Sequence, residues 1–370
     1  MKLSILGIRG IPANHGGFET FAEKLALYLV GRKWKVSVYC QDVKVKRLKK
    51  ETWKDIELIK IPSKNNGSLD TIIFDYKSIM LAKENSGIFL TLGYNTAILC
   101  AFLKFKNKIN IINMDGLEWK RRKYNIFEKS WLYLNERLGV FLSNHVIADN
   151  PAIANRMKKI APSEMPITMI PYGADNPENI ISQEAQVKIL NSFGINSSEY
   201  VLIVARPVAE NNIYEVVKTF SKKKRNHMLV ILGNYEKSNS YQNKVLNIAG
   251  YEVLFLGAIY DKRILDILRL NAKLYIHGHS VGGTNPALIE AMASGLAVLA
   301  HDNHFNRWVV GNDAHYFLNE KELEQKLDYL LLNNKEIKKM SKSSFIRYKE
   351  NFKWEKILVK YEKVFDSYMQ

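Results

Sequence analysis

A guanidinium, a glycine turn and a carboxylate follow one another along the second half of this 370-residue chain. Arg206 stands in "ARPVAENN", just after the β-branched run Tyr200–Val204. An arginine at the end of a strand can clamp a diphosphate through two parallel hydrogen bonds. The simpler reading is a surface ion pair with Glu210. Further on, the apolar run Leu274–Ile276 leads into "HGHSVGGTNPALIEAMASG". Gly282 and Gly283 permit a tight turn. Thr284 or Asn285 suits a helix N-cap, and Pro286 suits the first helical position. The unpaired amides of such a turn attract an anion. Glu290 follows about one turn later, among Leu288, Ile289, Ala291, Met292 and Ala293. Its carboxylate can accept hydrogen bonds from vicinal hydroxyls. A diphosphate at the turn and a ribose at the acid make a nucleotide site.

The first half carries two further groups of polar residues. The loop "GIRGIPANHGGFET" follows the run Lys2–Leu6 and precedes a helical pattern. Its glycines, with Gly16 and Gly17 last, let backbone amides approach a phosphate or sugar, and Arg9 and His15 share the loop. The spacing is not G-x-G-x-x-G, so a dinucleotide cofactor has little support; a merely tight loop is the other reading. In "NMDGLEWKRRKYN", Asp115 and Glu118 follow the run Ile109–Asn113. Acids there orient an acceptor hydroxyl, and Arg121 and Arg122 meet an acceptor phosphate. The plain readings are a solvated face for "KRRK" and core packing for Trp119. Asp-x-Asp, H-E-x-x-H, C-x-x-C and G-x-S-x-G are all absent from the sequence. We therefore expect no metal and no cofactor, and a serine hydrolase is disfavoured.

Alternating strands and helices must position these groups. Expected strands are 2–6, 35–39, 56–61, 88–92, 109–113, 145–148 and 167–170, then 200–204, 228–232, 253–256, 274–276 and 297–300. Helical spacing joins Phe21, Leu25 and Leu29 up to a C-terminal Gly31, and recurs over 212–220, 261–270 and 354–368. This alternation specifies α/β architecture with doubly wound parallel sheets. The pattern pauses near "PYGADNP". We expect one Rossmann-like domain over 1–175, a second over 176–350, and a terminal helix over 351–370.

Composition narrows the setting. Hydrophobic residues make up 47% of the chain, enough for full cores. Cys40 and Cys100 lie in apolar runs and read as reduced core thiols. The opening residues lack a signal-peptide pattern, and no apolar run is long enough to span a bilayer. A cytoplasmic protein is expected. The net charge is +17, with 28 Lys and Arg against 16 Asp and Glu in residues 1–175. That excess suits nucleic acid, an anionic membrane face or a phosphorylated substrate.

Six motifs in order resemble one group of enzymes. "RGIPANHGGFETFAEKL", "MDGLEWKRRKY", "ADNPAI", "IPYGAD", "ARPVAENN" and "IHGHSVGGTNPALIEAMASG" are similar to retaining GT-B glycosyltransferases, and within them to the bacterial rhamnosyltransferase-like group. The resemblance implies two Rossmann-like domains facing across a cleft. It implies transfer of a hexose, L-rhamnose from dTDP-rhamnose, to a lipid-diphosphate-linked glycan of cell wall, capsule or O-antigen. Arg206 would stabilise the leaving diphosphate. Gly283, Thr284 and Asn285 would contact it or the sugar, and Glu290 would hold the ribose. Gly16 and Gly17 would approach the diphosphate from the other domain. Asp115, with Glu118, Arg121 and Arg122, would face the acceptor. The basic first domain would rest on the inner face of the membrane, and the last helix would cross back onto it.

Two positions depart from the family pattern. Gly282 stands where the wider family has the first acid of E-x7-E, and Asn211 stands where it has a lysine. His279, Ser280 or backbone would then have to meet the donor sugar. The rivals are a sugar-nucleotide epimerase of the same fold, a UDP-hexose transferase, and a nucleic-acid binder, which the thin interleaving of aromatic and basic residues disfavours.

Overall fold

The structure is a computed structural model and describes every residue except 14, 15, 66, 178–180, 198 and 370. The chain forms two compact units, Met1–Tyr172 with Trp354–Gln370, and Gly173–Lys353. In the first unit, β1 (Lys2–Leu6), β2 (Lys35–Asp42), β3 (Lys49–Trp53), β4 (Ile56–Pro62), β5 (Ile88–Leu92), β6 (Ile109–Asn113), β7 (His145–Ala148) and β8 (Ile167–Met169) form one sheet. Its order is β3-β4-β2-β1-β5-β6-β7-β8, parallel except for β3. Helices α1 (Gly17–Gly31), α2 (Ser68–Ala82), α3 (Ala101–Phe105), α4 (Ile126–Leu142) and α5 (Pro151–Ile160) connect the strands. A sheet covered on both faces needs strands that are apolar throughout. Every residue of β5 is accordingly buried. Phe21, Leu25 and Leu29 of α1 pack on one face with Leu3, Ile5, Val36 and Val38. Phe74 and Ile79 of α2 and Leu103 of α3 pack on the other with Leu6, Tyr39 and Phe89.

The second unit holds β9 (Tyr200–Val204), β10 (Met228–Leu232), β11 (Val253–Gly257), β12 (Leu274–His277), β13 (Val298–His301) and β14 (His315–Phe317). Their order is β11-β10-β9-β12-β13-β14, all parallel. The helices are α6 (Gln183–Ser192), α7 (Ile213–Ser221), α8 (Ser240–Ile248), α9 (Lys262–Leu270), α10 (Pro286–Ala293), α11 (His304–Val310), α12 (Glu320–Leu332) and α13 (Asn334–Asn351). The chain then re-enters the first unit as α14 (Trp354–Asp366). Tyr361 there packs against Phe21 at a tilt with ring centroids 4.6 Å apart, and Phe365 meets Trp34 at 5.9 Å.

Two strands lie outside the expected set. The basic run Lys44–Lys50 leads into β3, a charged edge strand antiparallel to β4. Lys50 pairs with Glu57 at 3.3 Å, Lys49 with Glu51 at 3.1 Å, and Lys60 with Glu51 at 2.5 Å. A lysine-rich edge blocks further strand addition. Part of the basic excess is therefore structural. The other strand, β14, has only three residues and no alternation to read. Cys40 and Cys100 are buried free thiols, each pushed up to about 11 by burial. No helix among the described residues is long and apolar enough to cross a membrane.

The order of strands reverses beside β1 in the first sheet and beside β9 in the second. Open parallel sheets bind ligands at the carboxyl ends of strands at such reversals. The glycine loop leaves β1, and the Arg206 loop leaves β9.

His145 gives a pH dependence. Its ring lies 2.8 Å from Thr168 Oγ1 and 3.2 Å from Tyr368 Oη, and burial lowers its pKa to about 4. In the unfolded chain it titrates near 6.5. The unfolded state then takes up the proton first, so stability falls as pH drops from about 6.5 towards 4. Denaturant melts across this window should show a slope that is smaller in His145→Gln.

Candidate functional site

Three loops at the carboxyl edge of the second sheet are hydrogen-bonded into one body. The loop after β9 carries Arg206 to Asn212, and the loop after β12 carries Gly278 to Asn285. Asn212 sits in the left-handed region at φ 49° and donates from Nδ2 to the Gly278 carbonyl at 2.7 Å. Ser280 donates to the Glu210 carbonyl twice, from its amide and its hydroxyl, each at 2.9 Å. Asn211 donates from Nδ2 to the Arg206 carbonyl at 2.7 Å, and its Oδ1 lies 2.6 Å from His279 Nδ1. With that amide committed to a carbonyl, Asn211 Oδ1 accepts and His279 Nδ1 donates. Asn303, which caps α11 after β13, and Asn306 inside α11 donate to the His279 carbonyl at 3.1 and 2.9 Å. Sequence reasoning missed Asn212, Asn303 and Asn306, and took Asn211 only as a lost lysine. Asn303 was legible as an N-cap before α11, where it accepts the amides of Phe305 and Asn306.

Arg206 is exposed on this body and pairs with no carboxylate among the described residues. Glu210, its expected surface partner, is buried. Asn285 is the N-cap of α10 and takes the Ala287 amide at 3.0 Å, while Pro286 starts the helix. Thr284 is buried beside it and Gly283 half-buried. Gly282 has φ 133°, and a Cβ there would lie 3.0 Å from His279 Nε2. The imidazole thus borders the point where the family's first acid would leave the backbone. His277, two residues before His279 at the end of β12, is buried. Burial, with His279 and His301 nearby, holds its pKa well below the ordinary value and keeps it neutral.

Glu290 has a partner that the sequence did not reveal. The buried Arg269 of α9 forms an ion pair with it, and approaches Asp266 at 3.7 Å. The Glu290 side chain remains 36% exposed, so one edge of the carboxylate is tethered while the rest meets solvent. The helical pattern of 261–270 contains Arg269, but nothing in its spacing says that it turns inward.

The first unit assembles Asp115, Glu118 and Arg121. Asp115 follows β6 with φ 54°, and its amide donates to Asn113 Oδ1 at 3.1 Å. Asn113 is itself fixed by Tyr361 of α14, 2.7 Å away. Glu118 is buried and paired with Arg121, and its amide donates to Tyr94 Oη at 2.8 Å. Burial opposes the Arg121 charge, but Glu118 and Asp115 raise its pKa. Arg122 is exposed. Trp119 donates to the wholly buried Glu136 at 3.1 Å, and Arg156 grips that carboxylate from α5 at 2.7 and 2.5 Å. Glu118 therefore braces the loop, and Asp115 is the acid that this brace presents.

In the glycine loop, Glu19 of α1 turns back on the chain. It accepts the Arg9 amide at 3.2 Å, and a Cβ on Gly16 (φ 105°) would lie 2.1 Å from its carboxylate. Gly17 opens α1. The helix start thus already holds an internal anion. His15 lies outside the described residues. Among those residues, no cluster of His, Cys, Asp or Glu could hold a metal.

Residues 187–346 match the family "Glycosyl transferases group 1", and residues 1–175 match a domain of unknown function, DUF1972. An uncharacterized glycosyltransferase of Methanocaldococcus jannaschii is 22% identical over 278 residues, which is 72% of this chain and 70% of that protein. Among solved structures, sucrose-phosphate synthase from Thermosynechococcus elongatus superposes with a TM-score of 0.84 at 14% identity, over 100% of this chain and 99% of that one. HepE from Anabaena, solved with UDP-glucose, gives 0.77 at 14% identity over 99% and 100%. A glycosyltransferase from Rickettsia africae gives 0.73 at 18% identity over 100% and 98%.

The chain has the GT-B fold, and residues 187–346 form a group 1 glycosyltransferase domain.

In this domain, the Arg269 pairing separates two effects of mutating Glu290. Glu290→Ala leaves Arg269 buried without its main partner and should cost about 3 kcal/mol of stability. Glu290→Gln keeps an acceptor for the guanidinium and should cost less than half as much. Chemical denaturation of the two variants measures the difference.

Proposed function

We propose that the enzyme transfers L-rhamnose from dTDP-rhamnose to a lipid-diphosphate-linked glycan, without a metal and with retention, in bacterial surface polysaccharide synthesis at the inner membrane face. One observation carries the donor half of this reading. Arg206 is an exposed guanidinium with no carboxylate partner among the described residues, at the carboxyl end of β9 where the strand order reverses. Its loop is tied to the turn that opens α10. Breaking the bond from sugar C1 to the β-phosphate oxygen leaves the electron pair on the diphosphate. Arg206 and the amides of Gly283 to Asn285 supply positive charge there without a metal, and Glu290 takes the ribose hydroxyls. The acceptor hydroxyl attacks C1 from the face the diphosphate leaves and passes its proton to the departing phosphate oxygen. Asp115 orients that hydroxyl, while Arg121 and Arg122 meet the acceptor's diphosphate. The Glu19 carboxylate already fills the Gly16 turn, so a donor phosphate there would meet a like charge.

The rhamnose assignment rests on His279 and Gly282. An acid at 282 would accept hydrogen bonds from sugar hydroxyls. His279, donating through Nδ1 to Asn211, turns Nε2 to that position as an acceptor of another shape. A deoxysugar offers fewer hydroxyls to satisfy. Ser280 is committed to the Glu210 carbonyl and serves as a brace rather than a donor contact. A UDP-hexose donor is the second reading, favoured by the UDP-glucose bound to HepE.

The test is turnover of purified enzyme on a lipid-diphosphate-linked sugar with dTDP-rhamnose or UDP-glucose. Transfer from dTDP-rhamnose that survives EDTA is expected. Transfer from UDP-glucose alone would replace the donor assignment, and a new sugar nucleotide formed without acceptor would make the protein an epimerase. Arg206→Ala should lower kcat by about 10²–10³-fold, the usual loss for a donor aimed at developing negative charge, with its melting curve unchanged. His279→Ala should raise KM for the donor and lower kcat, each by roughly tenfold or less, as expected for a single hydrogen bond.

A further inference from the structure

We infer that the outward faces of α2 and α4 form a surface on which the first unit lies flat against an anionic lipid bilayer. Helices that cover a sheet turn their apolar stripe inward. These two carry a second apolar stripe that faces solvent. In α4, Phe127, Trp131, Leu134 and Phe141 recur at spacings of three, four and seven, on the side away from the buried Leu132, Asn135, Glu136, Gly139 and Val140. In α2, Leu69, Ile72, Ile73 and Tyr76 do the same, opposite the buried Phe74, Ser78 and Ala82. Phe127 is 83% exposed, Leu69 77% and Ile126 70%. Single exposed apolar residues are ordinary, but contiguous stripes mark an interaction surface.

The two stripes belong to one surface because both helices are fastened to the turn 95–100. Trp131 Nε1 donates to the Asn95 carbonyl at 2.8 Å, and Asn135 Oδ1 accepts the Ile98 amide at 2.9 Å. From the other side, Asp75 of α2 accepts the Thr96 hydroxyl at 2.7 Å. Ile98 is itself part-exposed between them.

Charge selects the occupant. Lys77, Lys83, Lys104, Lys106 and Lys129 lie on or just beyond α2, α3 and α4, and "KRRK" lies just before α4. Most acids of the two helices are turned to internal work. Asp75 is buried on Thr96, Glu136 is buried under Arg156, Glu128 closes the capping box of α4, and Asp70 holds the Asn65 amide at 3.0 Å. A basic rim around apolar stripes suits anionic headgroups above acyl chains. It disfavours a second copy, whose like charges would meet. Both helices begin at the carboxyl edge of the sheet, the edge that presents Asp115, and their most exposed residues lie in those first turns.

The placement gives the proposed lipid-linked acceptor a route to Asp115 and rests on that reading only for its purpose, so the binding is tested without any glycan. The full chain is floated with vesicles of phosphatidylcholine, with or without phosphatidylglycerol, and Phe127→Ser/Leu134→Ser and Lys77→Glu/Lys129→Glu are compared. Wild type should bind the anionic vesicles at least tenfold better than the neutral ones. Each double variant should lose about tenfold or more, with unchanged melting temperature and unchanged binding of a nucleoside diphosphate. Equal flotation of wild type and variants, or no flotation of wild type, overturns the proposal. So does a wild-type dimer in sedimentation that Phe127→Ser/Leu134→Ser dissolves, which would assign the face to a second copy. Vesicle binding that holds while lipid-linked sugars are not used as acceptors removes the acceptor reading and leaves the surface standing.

Discussion

Gly278 allows the end of β12 to approach the backbone of the loop after β9, and the placement of Arg206 beside the turn before α10 depends on that approach. A Cβ at Gly278 would lie 2.1 Å from the Asn211 carbonyl oxygen, so any other residue would force the two loops apart. With the loops in contact, Asn212 reaches the Gly278 carbonyl, Ser280 reaches Glu210 and Asn211 reaches His279. These bonds relate Arg206 to the turn before α10. Anion stabilisation by fixed donors needs such preorganisation, because donors that must be gathered after binding lose part of their effect.

The same body accounts for both departures from the family motif. A lysine at 211 would bring charge to the diphosphate. Asn211 instead joins the Arg206 carbonyl to the His279 ring and braces the loop. An acid at 282 would compete with His279 for the same space. The glycine and the histidine are adjacent, since the imidazole borders the place a side chain at 282 would leave from. Glu290 shows a related economy. Arg269 fixes one edge of its carboxylate from inside, and the other edge meets solvent.

Much of the frame was legible in the sequence. Runs such as "KLSIL" and "YVLIV" are too short for helices and too apolar for surface strands, and they became central parallel strands. "TNPA" announced the start of α10, because Asn and Pro have distinct uses at a helix N-terminus. Other features were out of reach. The edge strand β3 reads as a run of charge, because an edge strand gains safety from lysines. The partners Arg269, Asn303 and Asn306 are long-range contacts whose residue types have many uses. The outward stripes of α2 and α4 look like ordinary core periodicity until burial shows which side faces the sheet. Glu19, in the first turn of α1, covers the Gly16 loop, which its position in the sequence does not announce.

The central claim is that Arg206 and the α10 turn form a site that reads a diphosphate. Calorimetric titration of the full chain with dTDP and dTMP, and with UDP and UMP, tests it most directly. The account predicts that the wild-type protein binds at least one diphosphate about tenfold or more tighter than its monophosphate, and that Arg206→Ala abolishes this difference while keeping monophosphate binding. Equal affinity for diphosphate and monophosphate in the wild type, or an undiminished preference in Arg206→Ala, would contradict it.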